Sequence, residues 1–267
     1  MGSRAAFFDL DRTLIPGSSL FLLARGLYDR DLYRVWDILR FGMGQLSFRL
    51  SGESEKGLER SRTGALEFVQ GRTAEELRAM GREIAEERIL PRVYEGITRV
   101  IEQHQHAGDL TYLATAAPVE LAGVLADALG MSGTVATVGE VDEDGRYTGR
   151  LVGDVVHGPR KAEAVRALAE EMDIDLSESY AYSDSINDLP LMESVGHPIA
   201  VNPDSELRVE ARRRGWPVYE LRTKRLPILI GIPSAIVGVA LFGGGVAVGG
   251  WLGRKRVYRE LREFVGG

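Results

Sequence analysis

At 267 residues and 44% hydrophobic content, the chain can bury a large core, as one domain or as a core with an insertion. A net charge of −6 gives no support for nucleic-acid binding, and the lack of any cysteine excludes disulfides, thiolate catalysis and cysteine-held metals. The first residues contain no apolar run long enough for a signal peptide. Met1-Gly2 opens like a myristoylation site, but Ala6 stands where Ser or Thr is wanted.

The first predicted element is the apolar run "AAFFDL". It reads as a buried strand that ends at Asp9, followed by the turn-like "DRTLIPGSS" with Asp11. Residues 18 to about 90 read as helices, broken near Gly42-Gly44, Ser51-Gly52 and Gly71. The clearest is "RTAEELRAMGREIAEER", with Thr73 as N-cap and Glu76 closing a capping box. Within this block, residues 35–50 ("VWDILRFGMGQLSFRL") fit either a helical core or a lipid-facing surface with Arg34, Arg40 and Arg49 at headgroups. Pro91 ends the block.

Strands and helices then alternate. "VYEGITRVIEQHQHAG" reads as a helix, "DLTYLATAAP" as a strand and turn, and "VELAGVLADALG" as a helix. Short strands joined by a turn at Asp144-Gly145 follow, then the helix "RKAEAVRALAEEM", the strand "SYAYSD", the turn "INDLP" and the strands "HPIAVNP" and "WPVYEL". This alternation predicts a doubly wound α/β fold, a parallel sheet with helices on both faces, interrupted after its first strand by a helical insertion. The expected division is a core of residues 1–16 and 92–222, a helical cap of 17–91, an apolar segment of 226–252 and a basic tail of 253–267.

From Leu226 to Leu252 no residue is charged, and Lys224-Arg225 and Arg254-Lys255-Arg256 flank the run. A transmembrane helix is the leading expectation for it, with an interfacial hairpin or a buried element as alternatives. Gly243-Gly244-Gly245 and Pro233 weaken a span, whereas Gly245 and Gly249 suit close helix packing. The basic residues from Arg208 to Arg225 place the preceding domain at the cytoplasmic face of the cell membrane.

In open parallel sheets, ligands bind beyond the C-terminal ends of the strands. Three strand ends here carry polar groups: Asp9 with Asp11, Thr115, and Asp184 with Asn187 and Asp188. Lys161, one of four lysines among 33 basic residues, opens the helix before the third of these strands. Carboxylates so gathered repel one another unless a cation neutralises them, and hard oxygen donors favour Mg²⁺. A lysine and a hydroxyl beside that ion suit phosphate oxygens. One carboxylate could attack phosphorus while another moves a proton, which points to phosphoryl transfer. His104, His106, His157 and His197 are scattered, and none is expected to take part.

"FFDLDRTL", "YLATAAP", Lys161 and "YSDSINDLP" resemble, in order and spacing, the four motifs of the haloacid dehalogenase-like superfamily. The helical insertion is similar to the cap of its subfamily IB, the phosphoserine-phosphatase-like branch. The resemblance implies that Asp9 is the nucleophile and a Mg²⁺ ligand. It implies that Asp11 is the acid and base and gives its backbone carbonyl to the metal. Thr115 and Lys161 would hold phosphoryl oxygens, Asp184 would ligate Mg²⁺, and Asp188 would orient the ligands or Lys161. Asn187 would reach phosphate or substrate, and Thr13 would order the loop after Asp11. Two departures stand out. Arg12 fills a position often taken by Gly or Ser. The glutamate that recognises the serine ammonium is missing from "IPGSSLF", where Ser18 is nearest.

The expected activity is therefore a Mg²⁺-dependent phosphomonoesterase working through an aspartyl-phosphate. It is expected to be membrane-anchored, with a lipid phosphate monoester such as lysophosphatidate or phosphatidylglycerol phosphate as substrate. The alternatives are a hydrolase of a small soluble phosphate ester, or a non-catalytic membrane-associated binding module.

Overall fold

The computed structural model describes residues 2–30, 66 and 68–221, which belong to one compact unit, Met1–Thr223. The apolar stretch 35–50 and the run 226–252 lie outside the described residues.

The first strand, β1 (Ala5–Phe8), is buried along its whole length. Such a strand sits inside a sheet covered on both faces. It pairs in parallel with β2 (Leu110–Pro118) on one side and with β6 (Tyr180–Ser183) on the other. With β3 (Gly133–Thr137), β7 (His197–Val201) and β8 (Val218–Tyr219), they form a parallel sheet ordered β3-β2-β1-β6-β7-β8. The strands β4 (Gly139–Val141) and β5 (Tyr147–Leu151) form a separate antiparallel hairpin. Its turn carries Gly145 at φ 73, a left-handed conformation that glycine adopts without strain.

Side chains alternate across β1, so each pair faces a different layer. Ala6 and Phe8 pack with Ile97 and Ile101 of α3 (Glu95–His106) and Leu121 and Leu125 of α4 (Val119–Ala128). Ala5 and Phe7 pack with Ala162, Val165 and Ala169 of α5 (Pro159–Glu171) and with Leu191, from the short α6 (Leu189–Met192). The helix α7 (Ser205–Arg214) closes a smaller cluster through Leu207 and Ala211 against Ala200. The expected doubly wound α/β core is thus present.

Of the expected cap, two helices are described. α1 (Ser19–Tyr28) starts at Ser18, whose side chain accepts from the Phe21 amide. α2 (Ala74–Ile84) starts in the expected capping box: Thr73 Oγ1 accepts from the Glu76 amide and Glu76 Oε2 from the Thr73 amide. The predicted helix does not continue unbroken through Arg88. It widens into a π-helical turn at Ala85–Ile89 and tightens into a 3₁₀ turn at Leu90–Arg92, where Pro91 lacks the amide needed to go on. α1 and α2 touch at Gly26, where an added Cβ would lie 2.7 Å from Ile84 Cγ1. Among the described residues no helix is long and apolar enough to cross a membrane.

Of the four histidines expected to take no part, His104 is held inside the fold. It is buried in α3, with Nδ1 at 2.7 Å from Asp109 Oδ2 and Nε2 at 2.8 Å from the Tyr182 hydroxyl. Arg4 Nε donates to the other Asp109 oxygen at 2.6 Å. Tyr182 also stacks on Phe8 at 4.6 Å between ring centroids. Removing only the hydroxyl keeps the ring and strands a buried imidazole nitrogen. Tyr182→Phe is expected to lower unfolding free energy by about 1–3 kcal/mol, measured by urea denaturation. A variant as stable as the parent would show that this bond contributes nothing.

Candidate active site

The sheet register brings the predicted residues to one edge. Phe8 lies opposite Leu113 of β2 and Tyr182 of β6. Asp9 therefore leaves the sheet between the strand that carries Thr115 and the strand that leads to Asp184. The Asp9 amide continues the ladder by donating to the Tyr182 carbonyl at 2.9 Å. β2 does not stop at Thr115 as its sequence suggests. It runs to Pro118 with a register shift after Thr115, and Thr115 Oγ1 accepts from the Ala117 amide at 3.1 Å.

Lys161 sits in the first turn of α5, behind Gly158 at φ 54, a left-handed conformation that suits glycine. Its side chain is almost fully out of water. Nζ donates to Asp9 Oδ1 at 2.7 Å and to Asp188 Oδ2 at 2.8 Å. Ser183 Oγ donates to the same Asp188 oxygen at 2.7 Å. Burial lowers the affinity of Lys161 for its proton, but Asp9 and Asp188 outweigh burial and hold the ammonium well above its usual range. Asp188 and Asp9 thus hold the Lys161 ammonium between them. Ser185 caps the 3₁₀ turn Ile186–Asp188, its side chain accepting from the Asn187 amide. Asn187 is half-buried beside it.

Asp11 is tied to the start of the cap: its Oδ1 accepts from the Ser19 amide, in the first turn of α1, at 2.8 Å. Thr13 is fully buried, and among the described residues its Oγ1 has no hydrogen-bond partner. The loop is held instead through the main chain, with the Tyr94 amide donating to the Leu14 carbonyl at 2.9 Å.

Three contributors were not assigned from the sequence. Arg12 adopts φ 60, which turns its guanidinium back onto the site, where Nε meets Asp184 Oδ2 at 2.7 Å. The left-handed backbone accounts for a position where glycine is often favoured. Asp204 caps α7 through the Leu207 amide and also accepts from the Ile186 amide at 3.0 Å, holding the loop of Asn187 and Asp188. Ser183 is the third, through its bond to Asp188. Only the Asp204 capping position, before "SELRVEARRR", carries a sequence signal.

Burial raises the Asp9 carboxyl more than Lys161 lowers it, and Asp188 and Asp11 push it further up. Burial, followed by Asp9, pushes Asp184 up to about 8, although Arg12 pulls it down. Two carboxylates so disposed favour an additional cation. Among the described residues no three acidic or histidine side chains are placed to hold a metal ion. The expected donor set is therefore the carboxylates of Asp9 and Asp184 with the main-chain carbonyl of Asp11. That hard-oxygen set fits Mg²⁺, which keeps several waters and substrate phosphate oxygens among its ligands.

The comparisons agree with this geometry. The family model of haloacid dehalogenase-like hydrolases matches residues 6–193. A phosphoserine phosphatase of Mycobacterium tuberculosis is 43% identical over 245 residues, covering 91% of this chain and 79% of that protein. A histidinol-phosphatase of Neisseria meningitidis is 30% identical, covering 81% of this chain and 98% of its own length. The crystal structure of a Bordetella pertussis protein of unknown function superposes with a TM-score of 0.74 at 32% identity, covering 83% of this chain and all of that one.

The raised carboxyls have a consequence for stability. Unfolded aspartates titrate near ~3.9, whereas folded Asp184 titrates at about 8 and Asp9 is shifted in the same direction. Between those values the folded state binds more protons than the unfolded one, so these groups make stability fall as pH rises from about 4 to about 8. Carboxyls held low, such as Asp109, act only below that window. The metal-free protein is expected to melt at a lower temperature near pH 8 than near pH 5.5. Millimolar Mg²⁺ should raise the melting temperature more at the higher pH, because it binds the ionised form. A Mg²⁺ gain independent of pH, read by calorimetry, would contradict this assignment of the ligands.

Proposed function

The chain belongs to the haloacid dehalogenase-like hydrolase family and is a phosphatase of its phosphoserine-phosphatase-like branch, and we propose that it cleaves phosphate monoesters by covalent catalysis on Asp9. The observation that carries this reading is the buried Lys161 held between Asp9 and Asp188. A lysine so placed fixes the Asp9 carboxylate and presents positive charge where phosphoryl oxygens arrive.

Asp9 attacks phosphorus, forming an aspartyl-phosphate as the ester oxygen leaves. Asp11, anchored by the Ser19 amide, gives its proton to that leaving oxygen. It then takes a proton from the water that hydrolyses the intermediate. Thr115 and Lys161 bind the phosphoryl oxygens, joined by Asn187 from the loop that carries Asp188. Asp9, Asp184 and the Asp11 carbonyl would hold Mg²⁺, which would supply charge neutralisation between phosphate and carboxylates. Arg12 offers a second positive group at the same edge. A non-catalytic binding module has no need of this arrangement, because burying charges without a task lowers stability.

For the leaving group, relatives named phosphoserine phosphatase and histidinol-phosphatase support a small soluble ester. The charge-free run 226–252 with its basic flanks supports a membrane tether that keeps the catalytic unit at the cytoplasmic face. It is also the observation that favours a lipid phosphate monoester as a second reading.

The test is Mg²⁺-dependent phosphate release by the full-length protein, in detergent, from a panel of soluble and lipid monoesters. Asp9→Asn is expected to lower kcat by about 10⁴-fold or more while leaving the melting profile of a folded protein. Turnover equal to the parent would exclude Asp9 as nucleophile. Release from lipid esters alone would replace the small-ester reading with the lipid one.

A further inference from the structure

The loop after β1 holds a charged side chain in a backbone conformation suited to glycine. Arg12 lies at φ 60, where a residue with a Cβ is strained. Hydrogen bonds on both sides of the residue impose that strain. The Arg12 amide donates to the Gly17 carbonyl at 3.1 Å, and the Arg12 carbonyl accepts from Asn202 Nδ2 at 3.2 Å. Asn202 is itself left-handed, at φ 46, just past the end of β7. Its amide donates to the Tyr219 carbonyl at 2.8 Å, and its Oδ1 accepts from the Leu221 amide at 2.7 Å. The turn is thus braced against the β7–β8 end of the sheet, and a glycine would take the same backbone without strain. What the arginine adds is its guanidinium.

That guanidinium meets Asp184, Nε to Oδ2 at 2.7 Å. Asp184 is buried, whereas the Arg12 side chain is 47% exposed. Among the described residues no other cation pairs with Asp184, and no other acid pairs with Arg12. Lys161 offers a direct contrast. It is buried between carboxylates from two segments, which hold it from both sides. Arg12 touches a single carboxylate through Nε, and nearly half of its side chain is open to water. One contact and an open flank leave it free to turn away.

Asp184 is also among the oxygens that would hold Mg²⁺. Two cations that share one carboxylate repel each other, so each weakens the other's hold. A phosphate dianion reverses this balance, because it attracts both. An arginine fork takes phosphate oxygens with paired N–H donors. We propose that Arg12 is a tethered cation that competes with Mg²⁺ for Asp184 and turns to phosphate when phosphate binds, so that metal and phosphate bind as a coupled pair. The coupling is reciprocal: the factor by which phosphate tightens Mg²⁺ is the factor by which Mg²⁺ tightens phosphate. Asn202 is the positioning residue that holds the arginine turn. This inference rests on the ligand set of the phosphatase reading above.

The test is calorimetric titration of the full-length protein, in detergent, with Mg²⁺, in the absence and in the presence of saturating inorganic phosphate. Blank titrations of Mg²⁺ into phosphate remove the heat of their direct association. For the parent, phosphate is expected to tighten Mg²⁺ binding about tenfold or more. Arg12→Gly keeps the left-handed backbone and removes the guanidinium. Without phosphate it should bind Mg²⁺ about three- to tenfold more tightly than the parent, and phosphate should help it less. Arg12→Gln, neutral but close in shape, should shift both values the same way. Asn202→Ala should do so part-way. Mg²⁺ binding by Arg12→Gly no tighter than the parent's overturns the proposal. So does a coupling factor equal in the two proteins, or a parent that binds no Mg²⁺ even with phosphate present. Asp184→Asn separates this inference from the reading beneath it. If Asp184→Asn abolishes Mg²⁺ binding while Arg12→Gly changes nothing, the ligand set stands and only this inference falls. If Asp184→Asn binds Mg²⁺ as the parent does, the ligand set is wrong and the inference falls with it.

Discussion

Lys161 is a single ammonium group, 2% exposed, that holds carboxylates from two distant parts of the chain within 2.8 Å. Much of the fold's layout serves that contact. α5 must start at the sheet edge so that its first turn faces Asp9. The loop after β6 must bend back so that Asp188 reaches the same nitrogen, and Ser183 must close the remaining side of Asp188. A buried ion cluster of this kind contributes little net stability, because desolvation offsets the attraction. Its persistence is explained by what it positions. It fixes the orientation of the Asp9 carboxylate in advance of any ligand, so no reorganisation of that group is left for binding to accomplish.

A second contact of a different kind reaches the candidate site from α1. Asp11 accepts from the amide of Ser19, in the first turn of that helix. Asp11 therefore follows β1 in sequence but takes its orientation from α1. The same helix packs on α2, and Gly26 lets the two lie directly against each other.

Much of this was legible in the sequence because it depends on local pattern. An unbroken apolar run predicts a strand covered on both faces, and β1 is one. A Thr three residues before a Glu predicts a capping box, and Thr73 and Glu76 form it. Polar residues at successive strand ends must meet if the sheet is parallel, which placed Asp9, Thr115 and Asp184 together. The remainder depends on distance in space. Arg12 reaches Asp184 only because its backbone turns left-handed. Glu120 looks like an ordinary first-turn acid of a helix until Tyr147 arrives from a hairpin 27 residues away. His104 looks like a helix-end residue until Tyr182 closes over it from β6. The stretch 35–50 and the run 226–252 lie outside the described residues, so their expected roles remain sequence readings.

The position of β1 shapes the way the molecule comes into being. The strand Ala5–Phe8, made before either of its partners, lies inside the finished sheet, between β2 and β6. Its first partner begins at Leu110 and its second at Tyr180. Until synthesis has passed Ser183, these four uncharged residues have an incomplete set of neighbours. Such non-local pairing slows folding and prolongs exposure of an unpaired edge. The residue that follows them is Asp9, so the geometry around its carboxylate is among the last things the chain acquires. A truncated or stalled product of this gene would therefore expose an aggregation-prone strand while lacking the site altogether.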